Sequence, residues 1–109
     1  MKILITGSNG LLGQKLVSLL LTKDEKVIAT GLGSDRTKNI DSNYTYQKLD
    51  ITNQVEVDEI IGHHQPDVVV NTAAMTNVDQ CETEKEACRK LNVDAVRYLV
   101  EACENNNAF

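Results

Sequence analysis

The chain has no block of lysine or arginine, no apolar run long enough to cross a membrane, and no C-x-x-C spacing. The first absence, with a net charge of −5 and a pI near 4.9, argues against a general nucleic-acid binder or a protein held on an anionic membrane surface. The acidity reads as ordinary solubility. The second absence, with Met1 leading straight into a core strand and no charged leader, predicts a soluble cytoplasmic protein. The third concerns Cys81, Cys88 and Cys103, an odd set in one helical region without histidine at metal-ligand spacing. Neither a disulfide nor a zinc or other metal site is expected. At 109 residues there is too little chain for a second domain beside one small core.

What is present starts at the first residues. Ile3, Leu4 and Ile5 form an apolar run; Gly7, Gly10 and Gly13 follow at three-residue spacing; Leu11, Leu12, Leu16, Leu19 and Leu20 recur at helical spacing. This predicts a strand, a phosphate-binding turn and a helix. Glycine suits the turn because the chain must leave the strand sharply, let backbone approach a pyrophosphate, and pack the helix close to the sheet. The helix N-terminus then offers unpaired N–H groups and the positive end of its dipole to phosphate oxygens. Three glycines alone are a weak signal, since turns collect them. The strand before and the amphipathic run after them point to a nucleotide cofactor, a dinucleotide above all.

Strand and helix patterns alternate along the rest, with no repeat or low-complexity tract. Val27, Ile28 and Ala29 predict a second strand, residues 31–42 a polar loop, and residues 44–49 a third, alternating strand. Thr52 reads as the cap of a helix that carries Val57, Ile60 and Ile61 and ends at His63, His64 and Pro66. Adjacent histidines face different directions on a helix, so they fit the C-terminal dipole better than a metal. Val68, Val69 and Val70 form the continuous apolar run of a strand covered on both faces. Thr83 and Glu86 read as a capping box before a long helix with Cys88, Leu91, Ala95, Val96, Leu99 and Cys103 on one face. The expected fold class is α/β, a Rossmann-like doubly wound parallel sheet of order 3-2-1-4 with right-handed crossovers. Residues 105–109 stand where a fifth strand should begin. The chain therefore reads as the N-terminal NAD(P)-binding portion of a longer protein, truncated before that strand, with the fourth strand a bare edge that invites self-association.

The end of the second strand sets cofactor choice in such a sheet. An acid there would bind ribose hydroxyls and favour NAD, but Ala29-Thr30-Gly31 has none. Ser34, Arg36 and Lys38 follow, able to donate to a 2′-phosphate and neutralise it. NADP(H) is expected over NAD(H); a solvated polar loop would look the same, and Asp35 is within reach of a ribose. Asp50, at the end of the third strand, can place a carboxylate at an adenine amino group or serve the first turn of the next helix. Asn71-Thr72-Ala73-Ala74 ends the fourth strand in small residues, as backbone passing close to a cofactor requires.

The glycine turn, Asp50-Ile51-Thr52 and Asn71-Thr72-Ala73-Ala74 together resemble the extended short-chain dehydrogenase/reductase family. Residues 66–82, Pro-Asp-Val-Val-Val-Asn-Thr-Ala-Ala-Met-Thr-Asn-Val-Asp-Gln-Cys-Glu, continuing to Asn92-Val93, are similar in particular to its dTDP-4-dehydrorhamnose reductases. The likeness extends over essentially the whole chain. It implies that Gly7, Asn9, Gly10, Leu11, Leu12 and Gly13 line the pyrophosphate turn and that Asp50 and Ile51 sit at the adenine. Ala73, Ala74 and Thr76 would lie beside the ribose and nicotinamide, and Thr76 and Val78 would border a sugar-nucleotide pocket. Asn92 would order local backbone or simply pack, and Asp79 and Glu82 would anchor their loop; Met75 stands where the family commonly has an aromatic.

The implied activity is NADPH-dependent reduction of a nucleotide-linked 4-keto sugar in dTDP-rhamnose biosynthesis. A nucleotide-sugar epimerase or dehydratase, or a non-catalytic regulatory subunit resembling the methionine adenosyltransferase β subunit, are the alternatives. In the family a Ser or Thr and a Tyr-x-x-x-Lys on later elements do the chemistry, Tyr giving the proton and Lys lowering its pKa. Tyr44-Thr-Tyr-Gln-Lys48 has that spacing but reads as a strand and precedes Asp50, and Tyr98 has no Lys four residues on. No catalytic residue is expected in this chain, which alone should be inactive.

Overall fold

The computed structural model describes residues 1–35, 43–73 and 84–109. Strand β1 (Lys2–Thr6) leads to helix α1 (Leu11–Leu21), then β2 (Lys26–Gly31), β3 (Tyr44–Lys48), α2 (Gln54–His64) and β4 (Val68–Asn71). A short α3 (Lys85–Arg89), a π-helical turn (Lys90–Asp94) and α4 (Ala95–Asn105) follow. All strand pairs are parallel and the order is β3-β2-β1-β4, as expected. β1 is central, with Leu4 opposite Ile28 on one side and Val69 on the other.

Strand alternation splits the core between two faces. Ile3, Ile5, Val27 and Ala29 pack on Val17 of α1, while Leu4 and Ile28 face Val57 and Ile61 of α2 and Leu99 and Ala102 of α4. This is the doubly wound arrangement: the sheet grows from β1 to β3 in one direction, and the chain then returns to place β4 on the other side of β1.

Within α1 the leucines at helical spacing do not share one environment. Leu11, Leu12 and Leu19 are exposed, at 81%, 67% and 53%, while Gly13 and Val17 are buried and Leu16, Leu20 and Leu21 flank them. Two leucine stripes share the helical period, and close approach at Gly13 selects between them. A Cβ there would lie 2.7 Å from Ser8 Cα.

The ends of α2 also differ from expectation. Asn53, not Thr52, is the N-cap, its Oδ1 accepting from Glu56 N–H at 3.3 Å. Thr52 is engaged with Asp50 instead. At the other end Gln65 adopts φ 49°, its N–H donates to Ile61 O at 2.9 Å, and Pro66 prevents continuation. His64, in the last turn of α2, is hindered in complementing the helix dipole as a cation, because burial first, then His63 and Lys2, hold its pKa below the ordinary value. The Lys2 ammonium takes that role, donating to His64 O at 2.8 Å.

The expected long helix is interrupted by the π-helical turn, beyond which Ala95, Leu99 and Ala102 are buried and Val96 is exposed. Glu84 is the N-cap of α3 and makes no side-chain cap bond; Thr83 of the expected capping box lies outside the described residues. Cys88 is disulfide-bonded, with its partner outside the described residues, and accepts from Asn92 Nδ2 at 3.2 Å. This corrects the expectation of no disulfide, which rested on spacing along the chain where the bond needs only proximity in space. Cys103 is a free thiol whose pKa burial pushes up.

β4 is half-buried rather than covered, and its outer edge is not bare. After α4 the chain turns through Asn106 and Asn107, and Phe109 lies alongside β4. Its N–H donates to Asp67 O and its carbonyl accepts from Val69 N–H, both at 2.9 Å. Bonds to two residues flanking one position are the pattern of a parallel ladder.

Candidate functional site: a cleft at the carboxyl ends of the strands

Where strand order reverses, between β1 and β4, the carboxyl ends diverge and leave a crevice. A cleft of about 470 Å³ lies at these ends, lined among others by Gly7, Gly31, Asp50, Ile51, Thr52 and Ala73. Its floor is the glycine turn laced to the end of β4. Thr72 donates to Thr6 O from both N–H (3.2 Å) and Oγ1 (2.6 Å). Asn71 Oδ1 accepts from Thr6 Oγ1 at 2.5 Å and from Ala73 N–H at 3.1 Å. Gly7 has φ 67°, and a Cβ on it would meet Ala73 N at 2.7 Å and Thr72 Oγ1 at 2.9 Å. The small residues at the two strand ends are therefore needed first by each other.

From this turn α1 starts without a cap. Gly10, its N-cap residue, offers no side chain, the first turn holds no acid, and Leu11 and Leu12 are open to solvent. The first-turn N–H groups and the positive dipole end are thus available to an anion. The hydroxyl of Ser8, wholly buried in the turn, makes no hydrogen bond among the described residues. At the other end of the cleft Asp50 Oδ1 accepts from Thr52 N–H at 3.0 Å and Thr52 Oγ1 at 2.6 Å. Among the described residues its second oxygen has no hydrogen-bond donor. Ile51 packs into the core on the α2 and α4 face while lining the cleft.

The structure thus gathers Gly7, Asp50, Ile51 and Ala73 at one cleft, with Gly10, Leu11, Leu12 and Gly13 at the adjoining helix start. Asn9 reaches from the turn to the loop after β2, where its Nδ2 donates to Leu32 O and Ser34 O. Arg36, Lys38, Ala74, Thr76 and Val78 lie outside the described residues. The family model for the RmlD substrate binding domain matches residues 1–109. The chain belongs to this family.

The RmlD-family chain is 36% identical over 107 residues to dTDP-4-dehydrorhamnose reductase of Aggregatibacter actinomycetemcomitans, covering 98% of this chain and 32% of that protein. A solved structure of a hypothetical dTDP-4-dehydrorhamnose reductase from Sulfolobus tokodaii matches at TM-score 0.83 and 38% identity, over 100% of this chain and 37% of that one. The Bordetella bronchiseptica enzyme WbmH, solved in complex with NAD+, matches at TM-score 0.84 and 28% identity, over 98% of this chain and 36% of its own. The chain spans about a third of the length of the curated relatives it matches.

Tyr44 and Lys48 of this RmlD-family chain lie on strand β3. Four residues of strand separate them by about 13 Å, too far for Lys to act on the Tyr hydroxyl. Tyr44 packs toward the α1 face of the core. Tyr46, which no motif marked, matters more. Register places it opposite Ala29, and its hydroxyl reaches the loop beyond β2. The only trace of this in the sequence is an aromatic at an inward position of an alternating strand. Among the described residues no three His, Cys, Asp or Glu side chains cluster as a metal site would require. No helix among them is long and apolar enough to cross a membrane.

Proposed function

We propose that the chain is the cofactor-binding part of an NADPH-dependent reductase of a nucleotide-linked 4-keto sugar, of the dTDP-4-dehydrorhamnose reductase kind. The observation that carries this is the uncapped start of α1 at a glycine turn beside the switch-point cleft, with a carboxylate at the cleft's far end. The residues fit a dinucleotide. The N–H groups of Leu11, Leu12 and Gly13 hold the pyrophosphate, the free oxygen of Asp50 accepts from the adenine amino group, and Ala73 lets the ribose pass close to backbone. Ser34, Arg36 and Lys38 would take the 2′-phosphate; by the family resemblance Ala74 and Thr76 would serve the nicotinamide side, and Thr76 and Val78 the sugar nucleotide. When bound, reduced nicotinamide supplies a hydride. The proton for the ketone oxygen comes from outside this chain, since Tyr44 and Lys48 cannot act as a pair, and the soluble, cytoplasmic fragment alone is inactive.

Titration of the chain with NADPH and NADH, with and without Arg36→Ala, tests the cofactor assignment. NADPH is expected to bind about tenfold more tightly, an advantage lost in the variant, as for one charge-assisted pair. Equal or tighter NADH binding, with Arg36→Ala silent toward NADPH, overturns it. Incubation with NADPH and a 4-keto sugar nucleotide should give no turnover; turnover abolished by Tyr44→Phe would show that the strand pair is catalytic after all.

A further inference from the structure

The loop leaving β2 is held by two side chains from elsewhere in the fold. Asn9, in the glycine turn, donates from Nδ2 to the carbonyls of Leu32 (3.0 Å) and Ser34 (3.1 Å) and to the Tyr46 hydroxyl (3.2 Å). Tyr46, on β3, donates in turn to Gly33 O at 2.9 Å. An amide nitrogen has two protons, so one is shared among these acceptors, and the hydroxyl relays the interaction to the third carbonyl. The carbonyls of three successive residues thereby converge on one point. Gly33, at φ 74°, allows the chain to make that turn, and Gly31 keeps the space clear. A Cβ on Gly31 would lie 3.1 Å from Asn9 Nδ2 and 3.4 Å from the Tyr46 hydroxyl.

These bonds join the turn proposed for the pyrophosphate, the loop proposed for the ribose, and β3. We propose that Asn9 and Tyr46 are positioning residues that fix the loop at Leu32, Gly33 and Ser34 relative to the glycine turn, and so set discrimination between a ribose 2′-phosphate and a 2′-hydroxyl. The inference rests on the cofactor reading above. Its physical basis is that the pyrophosphate anchors the nucleotide at one end. The distance from that anchor to the loop then decides whether donors meet a 2′-phosphate at charge-assisted hydrogen-bond length. A loop shifted outward loses those short bonds while leaving contacts to the 5′-phosphate and adenine in place.

Two variants separate positioning from folding. Tyr46→Phe removes the hydroxyl and leaves the ring packed against the α1-side core. Asn9→Asp keeps the shape but turns donors into acceptors facing carbonyl oxygens. The probes are adenosine 2′,5′-bisphosphate and 5′-AMP, titrated calorimetrically into the chain, with amide hydrogen exchange read at residues 32–35. Both variants are expected to exchange faster at the loop, and the ratio of the two dissociation constants to move toward parity by about fivefold or more, Asn9→Asp furthest. A purely structural role would weaken both probes equally, and an unchanged ratio in both variants overturns the proposal, as does unchanged loop exchange. If the unmodified chain binds neither probe, the cofactor reading fails and the discrimination with it, while the exchange data still decide whether the clamp orders the loop.

Discussion

A Cβ on Gly7 would press on the amide of Ala73, and that backbone cannot yield without loosening β4 from β1. The left-handed φ adds its own cost for any L side chain. Gly7→Ala should therefore destabilise the chain by about 2–4 kcal/mol in urea unfolding and abolish nucleotide binding. Gly62 is the contrast: it lies inside α2 with nothing within 4 Å of the point a Cβ would occupy, so Gly62→Ala should stabilise by about 0.5–1 kcal/mol. His64 gives a pH dependence of definite sign. Burial lowers its pKa in the fold, so the unfolded chain binds the proton first. The stability tied to the neutral ring is complete above about pH 6.5 and is lost as pH falls through the lowered folded value. Urea midpoints measured across that window should fall toward acid, and His64→Gln should flatten this part of the curve. At this scale the sequence was a good guide to Gly7, because spacing fixes what a turn requires. It said less about the leucines of α1, where two stripes fit the helical period and only contact with the turn tells them apart.

Elements were legible where one pattern excluded others. Val27 to Ala29 and Val68 to Val70 are short apolar runs between polar segments, and alternation with helices leaves a parallel sheet as the arrangement that buries them. Boundaries were less so. Thr52 and Asn53 are both capping residue types in adjacent positions, and the choice between them follows from Asp50, whose carboxylate engages Thr52 and leaves Asn53 to the helix. Asn53→Ala should cost about 1 kcal/mol, readable as a lower urea midpoint. A midpoint unchanged by this substitution would show that the cap is not the helix's start. The π-helical turn was invisible because Leu91, Ala95 and Leu99 keep a four-residue spacing through it. The Cys88 disulfide was invisible for another reason: it needs proximity in space, which spacing along the chain does not report.

For the molecule as a whole, sheet order and the place of the cleft follow from the same fact, the return of the chain from β3 to β4 past β1, and both were readable from the order of elements. The state of the β4 edge was not, because it depends on where the residues after α4 lie. Phe109 covers the backbone groups of Asp67 and Val69, yet its side chain is 92% exposed. Beside it a groove of about 460 Å³ runs between β4 and α4, lined by Val69, Val96, Leu99, Val100 and Phe109. Val96 and Val100 stand open to solvent on the same side of α4. Contiguous exposed apolar surface next to a partly paired strand favours association with a second copy, which would bury the valines and extend the ladder. The chain is accordingly expected to self-associate as its concentration rises, seen as a growing mean mass in light scattering. Val100→Glu, which places a charge in the groove of an already acidic chain, should return it to a monomer without lowering its urea midpoint by more than about 0.5 kcal/mol equivalent. A chain that stays monomeric throughout the series, or an assembly indifferent to Val100→Glu, would place any association elsewhere than on this face.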